Sequence, residues 1–304
     1  MAKKAFIFPG QGSQYVGMAE DLYNNSVEAK EMILMADDAL GINLSYILFK
    51  GPEEELKQSE FTQPAIFLHS AVLASIIRTL TPEAAAGHSV GEYAAFVASG
   101  AIQFYDAVKL VRERGIAMQS AGNENKGTMA AIVGLEPEQV KQCCIEASEV
   151  GIVQPANYNS PGQIVISGSV EGVRKAMELC KTKGAKLTKE LQVSGAFHSP
   201  LMIPAKERLK SALEKTPVFD PKLPVYANVT AKPVLKKEEI TNLLCEQLTA
   251  PVPWVDIITN MIHDGIEEFY EIGPGKVLQG LIKRINPDVK TFGIDKFADV
   301  EKYL

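Results

Sequence analysis

Cysteine is scarce in this chain of 304 residues: only Cys143, Cys144, Cys180 and Cys245 occur. They form no CxxC pair for zinc and no regular framework for disulfides, so a packed core in a reducing compartment is expected to hold the fold. Long apolar runs are missing as well. The most apolar stretch, "AIFLHSAVLASII", is interrupted by His69 and is too short to cross a bilayer, and the opening "MAKKAFIFPGQG" lacks the apolar centre of a secretion signal. Positive charge is in deficit. The 31 lysines and arginines against 37 acidic residues leave a net charge of -6, which argues against a polyanion such as nucleic acid as the main partner. A soluble, cytoplasmic protein with neither membrane nor nucleic-acid contacts is expected, in which any anionic ligand must be met by a local basic group.

What is present suits a soluble enzyme. Hydrophobic residues make up 46% of a chain long enough for two small domains or one large α/β domain with an insertion. "KAFIF" reads as a buried first strand and "QPAIFLHSAVLASIIRTL" as a long, mostly buried helix. In "PEAAAGHSVGEYAAFVASG" a short alanine strand runs into a helix that Gly100 ends. From Thr128 to Val193 the pattern becomes β-α-β-β-α-β, the split ferredoxin-like unit, and the linker-like "SAGNENKG" precedes it. The expected organisation is therefore a ferredoxin-like small domain at 125–194, inserted in a large α/β domain formed by 1–124 and 195–304. After the insertion α/β alternation resumes: helix "SPLMIPAKERLKSALE" with Ser199 as N-cap before Pro200, strand "VYANVT", helix "EEITNLLCEQL", strand "IEEFYEIG", helix "KVLQGLIKRI", strand "VKTFGI". Such alternation predicts a mostly parallel sheet covered by helices.

The sharpest chemical signal is "GHSVG", Gly87 to Gly91, a G-x-S-x-G with its serine on a predicted strand-to-helix turn. Small neighbours are a physical need there, because the turn strains and crowds the backbone while lifting Oγ above the sheet and aiming a helix N-terminus at the reaction site. The alternative is a plain helix-capping serine. A nucleophile needs a base, and there are four histidines. His88 adjoins Ser89 and faces another way, His69 lies in an apolar helix, and His263 sits near a helix end. His198, ending "LQVSGAFH" just before a helix, remains at the sheet edge where α/β sites collect. No Asp or Glu stands out to orient it, so a backbone carbonyl is a candidate, an arrangement that suits a thioester better than an amide.

The opening "FIFPGQGSQ" poses a related question. A glycine-rich turn after a strand suggests a nucleotide phosphate, but "GQGSQYVG" puts Tyr15 where a dinucleotide motif needs its third glycine. An acyl-transfer serine instead requires two N–H donors for the developing oxyanion, one from the following residue, Val90, and one from a loop after another strand, for which Gln11 is well placed.

With these residues in hand, the chain resembles the malonyl-CoA:acyl carrier protein transacylases of bacterial-type fatty acid synthesis over nearly its whole length. The matching blocks are "FPGQGSQ", "TQPAIF", "GHSVGEYAA", "VRERGIAMQ", "ANYNSPGQIVISG", "FHSPLM", "QLTAPVPW" and "EIGPGKVLQGL". The resemblance implies a hydrolase-like α/β core with a ferredoxin-like insertion. It implies Ser89 as nucleophile, His198 as base, the Gln11 and Val90 N–H groups as oxyanion donors, and the main-chain carbonyl of Gln247 as the acceptor for the histidine. Arg114, in "VRERG", would hold the malonyl carboxylate, a bidentate task for which lysine is a poor substitute. Asn157, His88 and Met118 lie in matched blocks around the acyl pocket, and Phe197 before the histidine accompanies malonyl rather than methylmalonyl in related synthase domains.

The implied reaction is ping-pong, through a malonyl ester on Ser89, with malonyl-CoA and acyl carrier protein as partners, no cofactor or metal, and a monomeric enzyme. Carrier proteins are acidic, and "CKTKGAKLTKE" offers Lys181, Lys183, Lys186 and Lys189 as a docking face. Two alternatives stay open: a serine hydrolase passing the acyl group to water, for which Asp264-Gly265-Ile266 is a poor match to the patatin-like motif, and a catalytically idle carrier-binding module.

Overall fold

The computed structural model describes residues 2–304. Ten strands form two sheets: β1 (Lys3–Phe8), β2 (Ala84–Gly87), β3 (Gly127–Val133), β4 (Val153–Ser160), β5 (Gln163–Ser169), β6 (Leu187–Glu190), β7 (Val225–Tyr226), β8 (Pro233–Val234), β9 (Ile266–Ile272) and β10 (Lys290–Ile294). The larger sheet has the order β10-β9-β1-β2-β7-β8, parallel throughout except for the short β8. Its central strands are buried on both faces. Phe6 and Phe8 of β1 join one apolar cluster, while Ala5 and Ile7 join another with Trp254, Ile257 and Phe269, as the two-residue period of a strand dictates.

The smaller sheet, β4-β5-β3-β6, is antiparallel and carries the expected order of strands and helices. The helices Pro137–Ala147 and Val170–Thr182 cover one face, packing Val140, Cys143, Cys144 and Cys180 against Ala130, Ile132 and Ile166. The other face sends Met129 and Val165 into the main core. The smaller sheet is tied to the segment before the helix Trp254–His263, where the Tyr158 N–H donates to the Val252 carbonyl at 2.9 Å and the Val252 N–H to that of Ala156 at 2.8 Å. No helix among the described residues is long and apolar enough to cross a membrane.

Three expectations need correction. The helix read from Gln63 to Leu80 spans Ser59–Ile76, with Pro64 inside it rather than at its start. Proline cannot bond to the Glu60 carbonyl, and Arg112 Nη1 donates there instead at 3.4 Å. The strand read over "VYANVT" pairs only at Val225 and Tyr226, after which the chain turns back through Ala231, whose φ is 55°. The helix read from Ser199 begins as a tight turn, Pro200–Met202, and becomes α-helical at Ile203–Leu213.

Small residues are required where β2 meets the helix Gly91–Ala98. A Cβ on Gly87 would lie 1.9 Å from the Gly91 carbonyl carbon, and one on Gly91 would lie 2.2 Å from the Phe8 oxygen. Both obstacles are backbone, so Gly87→Ala is expected to cost about 3 kcal/mol or more in unfolding free energy. An unchanged denaturation midpoint would show that strand and helix do not meet so closely.

Candidate active site

Ser89 occupies the turn between β2 and the helix Gly91–Ala98 with φ 52°, in the left-handed region that a non-glycine residue rarely adopts. Side chains hold both flanking peptides. The Ser89 N–H donates to Asn228 Oδ1 at 2.8 Å, Asn228 Nδ2 donates to the Gly87 carbonyl at 2.6 Å, and Gln247 Nε2 donates to the Ser89 carbonyl at 3.0 Å. Such over-determination is what keeps a strained backbone in place.

His198 also has a positive φ, 58°, and its carbonyl is held by Gln154 Nε2 at 2.8 Å. Its Nδ1 faces the carbonyls of Gln247, 2.8 Å away, and Ala250, 3.2 Å away. Two acceptors there require the proton on Nδ1, which leaves a lone pair on Nε2, 2.8 Å from Ser89 Oγ. Burial, then the nearby Arg114 charge, pull the imidazole pKa down to about 3. The resting histidine is therefore neutral and able to accept the serine proton, with no carboxylate behind it.

Arg114 is 1% exposed. Its helix, Phe104–Glu124, approaches the helix Ser59–Ile76 closely because Gly115 passes the Ser59 carbonyl, which a Cβ would meet at 2.5 Å. All the hydrogen-bond partners of Arg114 are uncharged. Nη1 donates to Gln63 Oε1, and Nη2 to Gln247 Oε1 at 2.8 Å and to Ser89 Oγ at 3.1 Å, while the buried Nε has no partner among the described residues. A buried cation without a bound anion is costly, and a guanidinium fork beside Ser89 Oγ can pair with a planar carboxylate.

These groups open onto a cavity of about 270 Å³. Gln11, His88, Val90, Arg114, Met118, Asn157 and Phe197 line it together with Ser89 and His198, whereas Gln247 lies behind the wall, 1% exposed. The site residues read from the sequence are thus brought to one place. The opening turn is explained sterically: Gly10 passes the His88 carbonyl, which a Cβ would meet at 2.6 Å, and so carries Gln11 to the serine turn. Among the described residues, neither the Gln11 nor the Val90 backbone N–H has an acceptor in the turn and loop network. His88 turns from the serine, its Nε2 lying 2.9 Å from Asn159 Oδ1. Met118 Sδ accepts from Gln63 Nε2 at 3.4 Å. Asn157 sits at an irregularity of β4, bridged to Val252.

Sequence reasoning missed Gln63, Glu92 and Asn228. Each left a trace. Glu92 is an acid in the otherwise apolar "GEYAAFVA", Asn228 is a poor strand residue in "YANVT", and Gln63 stands inside an apolar helix.

Comparison with known proteins adds to this geometry. The family described as acyl transferase domain matches residues 5–291. A malonyl CoA-acyl carrier protein transacylase of Bacillus subtilis (strain 168) is 46% identical over 304 residues, covering 99% of this chain and 96% of the relative. Among solved structures, the malonyl CoA-acyl carrier protein transacylase of Coxiella burnetii is similar with a TM-score of 0.96 and 39% identity, covering 99% of this chain and 96% of that one. A malonyl-transacylase in complex with its type II PKS acyl-carrier protein matches with a TM-score of 0.95 and 38% identity, covering 100% of this chain and 99% of that one.

Proposed function

Because this chain belongs to the acyl transferase domain family and, within it, to the malonyl CoA-acyl carrier protein transacylases, we propose that it transfers malonyl from malonyl-CoA to holo acyl carrier protein through a Ser89 ester, for fatty acid biosynthesis. One observation carries the mechanism: Ser89 Oγ lies 2.8 Å from the unprotonated nitrogen of His198 and 3.1 Å from the Arg114 fork. Nucleophile, base and carboxylate receiver converge on a single atom.

In the first half-reaction His198 Nε2 takes the Ser89 proton as Oγ attacks the thioester carbonyl. The oxyanion is received by the Gln11 and Val90 N–H groups, the C–S bond breaks, and the imidazolium returns its proton to the departing CoA thiolate. In the second half-reaction His198 takes the proton of the phosphopantetheine thiol, the sulfur attacks the malonyl ester carbonyl, the C–O bond to Ser89 breaks, and the imidazolium returns the proton to Ser89 Oγ. Arg114 pairs with the malonyl carboxylate in both. Gln247 accepts from Nδ1, and Asn157, His88, Met118 and Phe197 shape the acyl pocket. This chemistry calls for no metal and no bound redox cofactor.

The same reading divides the chain into a hydrolase-like core, 1–124 and 195–304, and a ferredoxin-like unit, 125–194, working as a cytoplasmic monomer. It takes Lys181, Lys183, Lys186 and Lys189 as a docking face for the acidic carrier. That run leads directly into Leu191 and Val193, which line the cavity.

Intact-protein mass spectrometry after brief mixing with malonyl-CoA tests the transfer. A malonyl adduct is expected on the wild type and not on Ser89→Ala, discharged faster by holo acyl carrier protein than by water. Discharge by water alone would make the protein a hydrolase, and an absent adduct without malonate release would make it catalytically idle.

A further inference from the structure

One buried acid beside the reacting serine takes no part in the steps above. Glu92 is fully buried in the helix that starts two residues after Ser89. Its Oε1 accepts from the Asn228 backbone N–H at 2.8 Å, and its Oε2 accepts from Gln247 Nε2. Those two residues are the ones that clamp the serine turn: Asn228 Oδ1 accepts from the Ser89 N–H, and Gln247 Nε2 also donates to the Ser89 carbonyl. Gln247 further offers Oε1 to Arg114 Nη2 at 2.8 Å and its main-chain carbonyl to His198 Nδ1 at 2.8 Å.

Donor and acceptor rules fix this knot. A guanidinium can only donate, so Gln247 must turn its oxygen to Arg114, and a peptide carbonyl can only accept, so Gln247 must turn its nitrogen to Ser89. The second hydrogen of that nitrogen then points at Glu92. Among the described residues Glu92 therefore meets two donors and no acceptor, an environment that only the carboxylate satisfies fully. We infer that Glu92 is a positioning residue for acyl selection: its carboxylate fixes the Gln247 amide, and through that amide the aim of the Arg114 fork and the peptides of Ser89. The inference rests on the malonyl-transfer reading and adds a specificity determinant to it.

The surroundings agree. Burial raises the Glu92 pKa to about 7, against the opposing pull of the Asn228 N–H, the Gln247 amide and the Arg114 charge. Around it, Arg114 is the only cation among the described residues. Burial raises the Tyr93 phenol and the Cys245 thiol and lowers the His198 imidazole, so all three are neutral. Above pH 7 the carboxylate completes the knot; below it, a proton on Glu92 faces donors and loosens Gln247.

Glu92→Gln tests this without changing volume. An amide at position 92 offers its own N–H to Gln247 and favours turning that side chain over, which would set an NH₂ against Arg114. The variant is expected to melt as a folded protein, to lose about 100-fold in kcat/KM for acylation by malonyl-CoA, and to lose about tenfold or more in malonyl-over-acetyl preference. The wild type should lose malonyl acylation as pH falls through about 7, a limb that Glu92→Gln should lack. Acylation of the variant within roughly threefold of wild type would overturn the inference, as would equal losses for malonyl and acetyl with the acid limb kept. Should the variant fail to fold, Glu92→Asp decides, because it keeps the carboxylate but draws it back from the Gln247 amide: a malonyl-over-acetyl preference equal to that of the wild type overturns the inference. A wild type that forms no malonyl ester at all overturns the transfer reading itself, whereas a normal wild-type ester with an indifferent variant overturns only the role of Glu92.

Discussion

Ser89→Ala is expected to lower malonyl transfer by about five orders of magnitude, His198→Ala by nearly as much, and the double variant no further than the slower single one. Each residue is useless without the other. A serine hydroxyl is a weak nucleophile until a base takes its proton, and His198 Nε2, 2.8 Å away, is the neutral base in reach. Removing Oγ deletes the bond to be formed, while removing the imidazole leaves the hydroxyl facing Arg114, a donor that cannot accept a proton. Residual turnover in either variant should come from substrate held against the Gln11 and Val90 N–H groups. Single-turnover transfer to holo carrier protein measures all three variants, with melting temperature as the folding control. Losses that multiply in the double variant would mean that the two residues act separately and that their contact is incidental.

The meeting of Ser89 with His198 was legible in the sequence because the signals are local. "GHSVG" carries its own steric logic, and Gly87 and Gly91 stand where a Cβ would strike backbone. His198 emerged by elimination among four histidines, and the other three are held elsewhere: His69 against the Asp295 carbonyl, His88 against Asn159, and His263 next to Asp264. The acceptor for His198 could not be read locally, since a main-chain carbonyl has no residue signature, and Gln247 entered through resemblance alone. The burial of Arg114 could not be read locally either, because it depends on Gly115 closing the gap to a distant helix.

The strands and helices of the smaller sheet were legible from their periods. The misreadings lie where tertiary contacts overrule local preference. Pro64 looked like a helix start because its lost hydrogen bond is made good by Arg112, 48 residues away. "VYANVT" looked like a strand because Val and Tyr favour one, yet Asn228 leaves the sheet to reach both Ser89 and Gly87. Local reasoning failed at Asn228, where hydrogen bonds to the serine turn outweigh the preference for a strand.

Arg114→Ala is expected to reduce malonyl-over-acetyl preference about a thousandfold, mostly by loss of malonyl acylation and partly by a gain for acetyl. The malonyl loss follows from the bidentate pair. The gain for acetyl has a separate cause. Acetyl offers no carboxylate, so in the wild type it leaves the buried guanidinium unpaired beside the nucleophile, and the Arg114 charge goes on suppressing the basicity of His198, second only to burial in doing so. A malonyl carboxylate seated on Arg114 offsets that charge, so the correct substrate strengthens the base that will attack it, and the imidazolium formed during attack no longer faces a bare cation. Removing the guanidinium relieves the same suppression for every acyl group, which is why acetyl should profit. Competition between malonyl-CoA and acetyl-CoA, read as acyl-enzyme by mass spectrometry across pH, separates the two effects. Loss of malonyl acylation with acetyl unchanged would confine Arg114 to binding, whereas an unchanged preference would remove it from the site altogether.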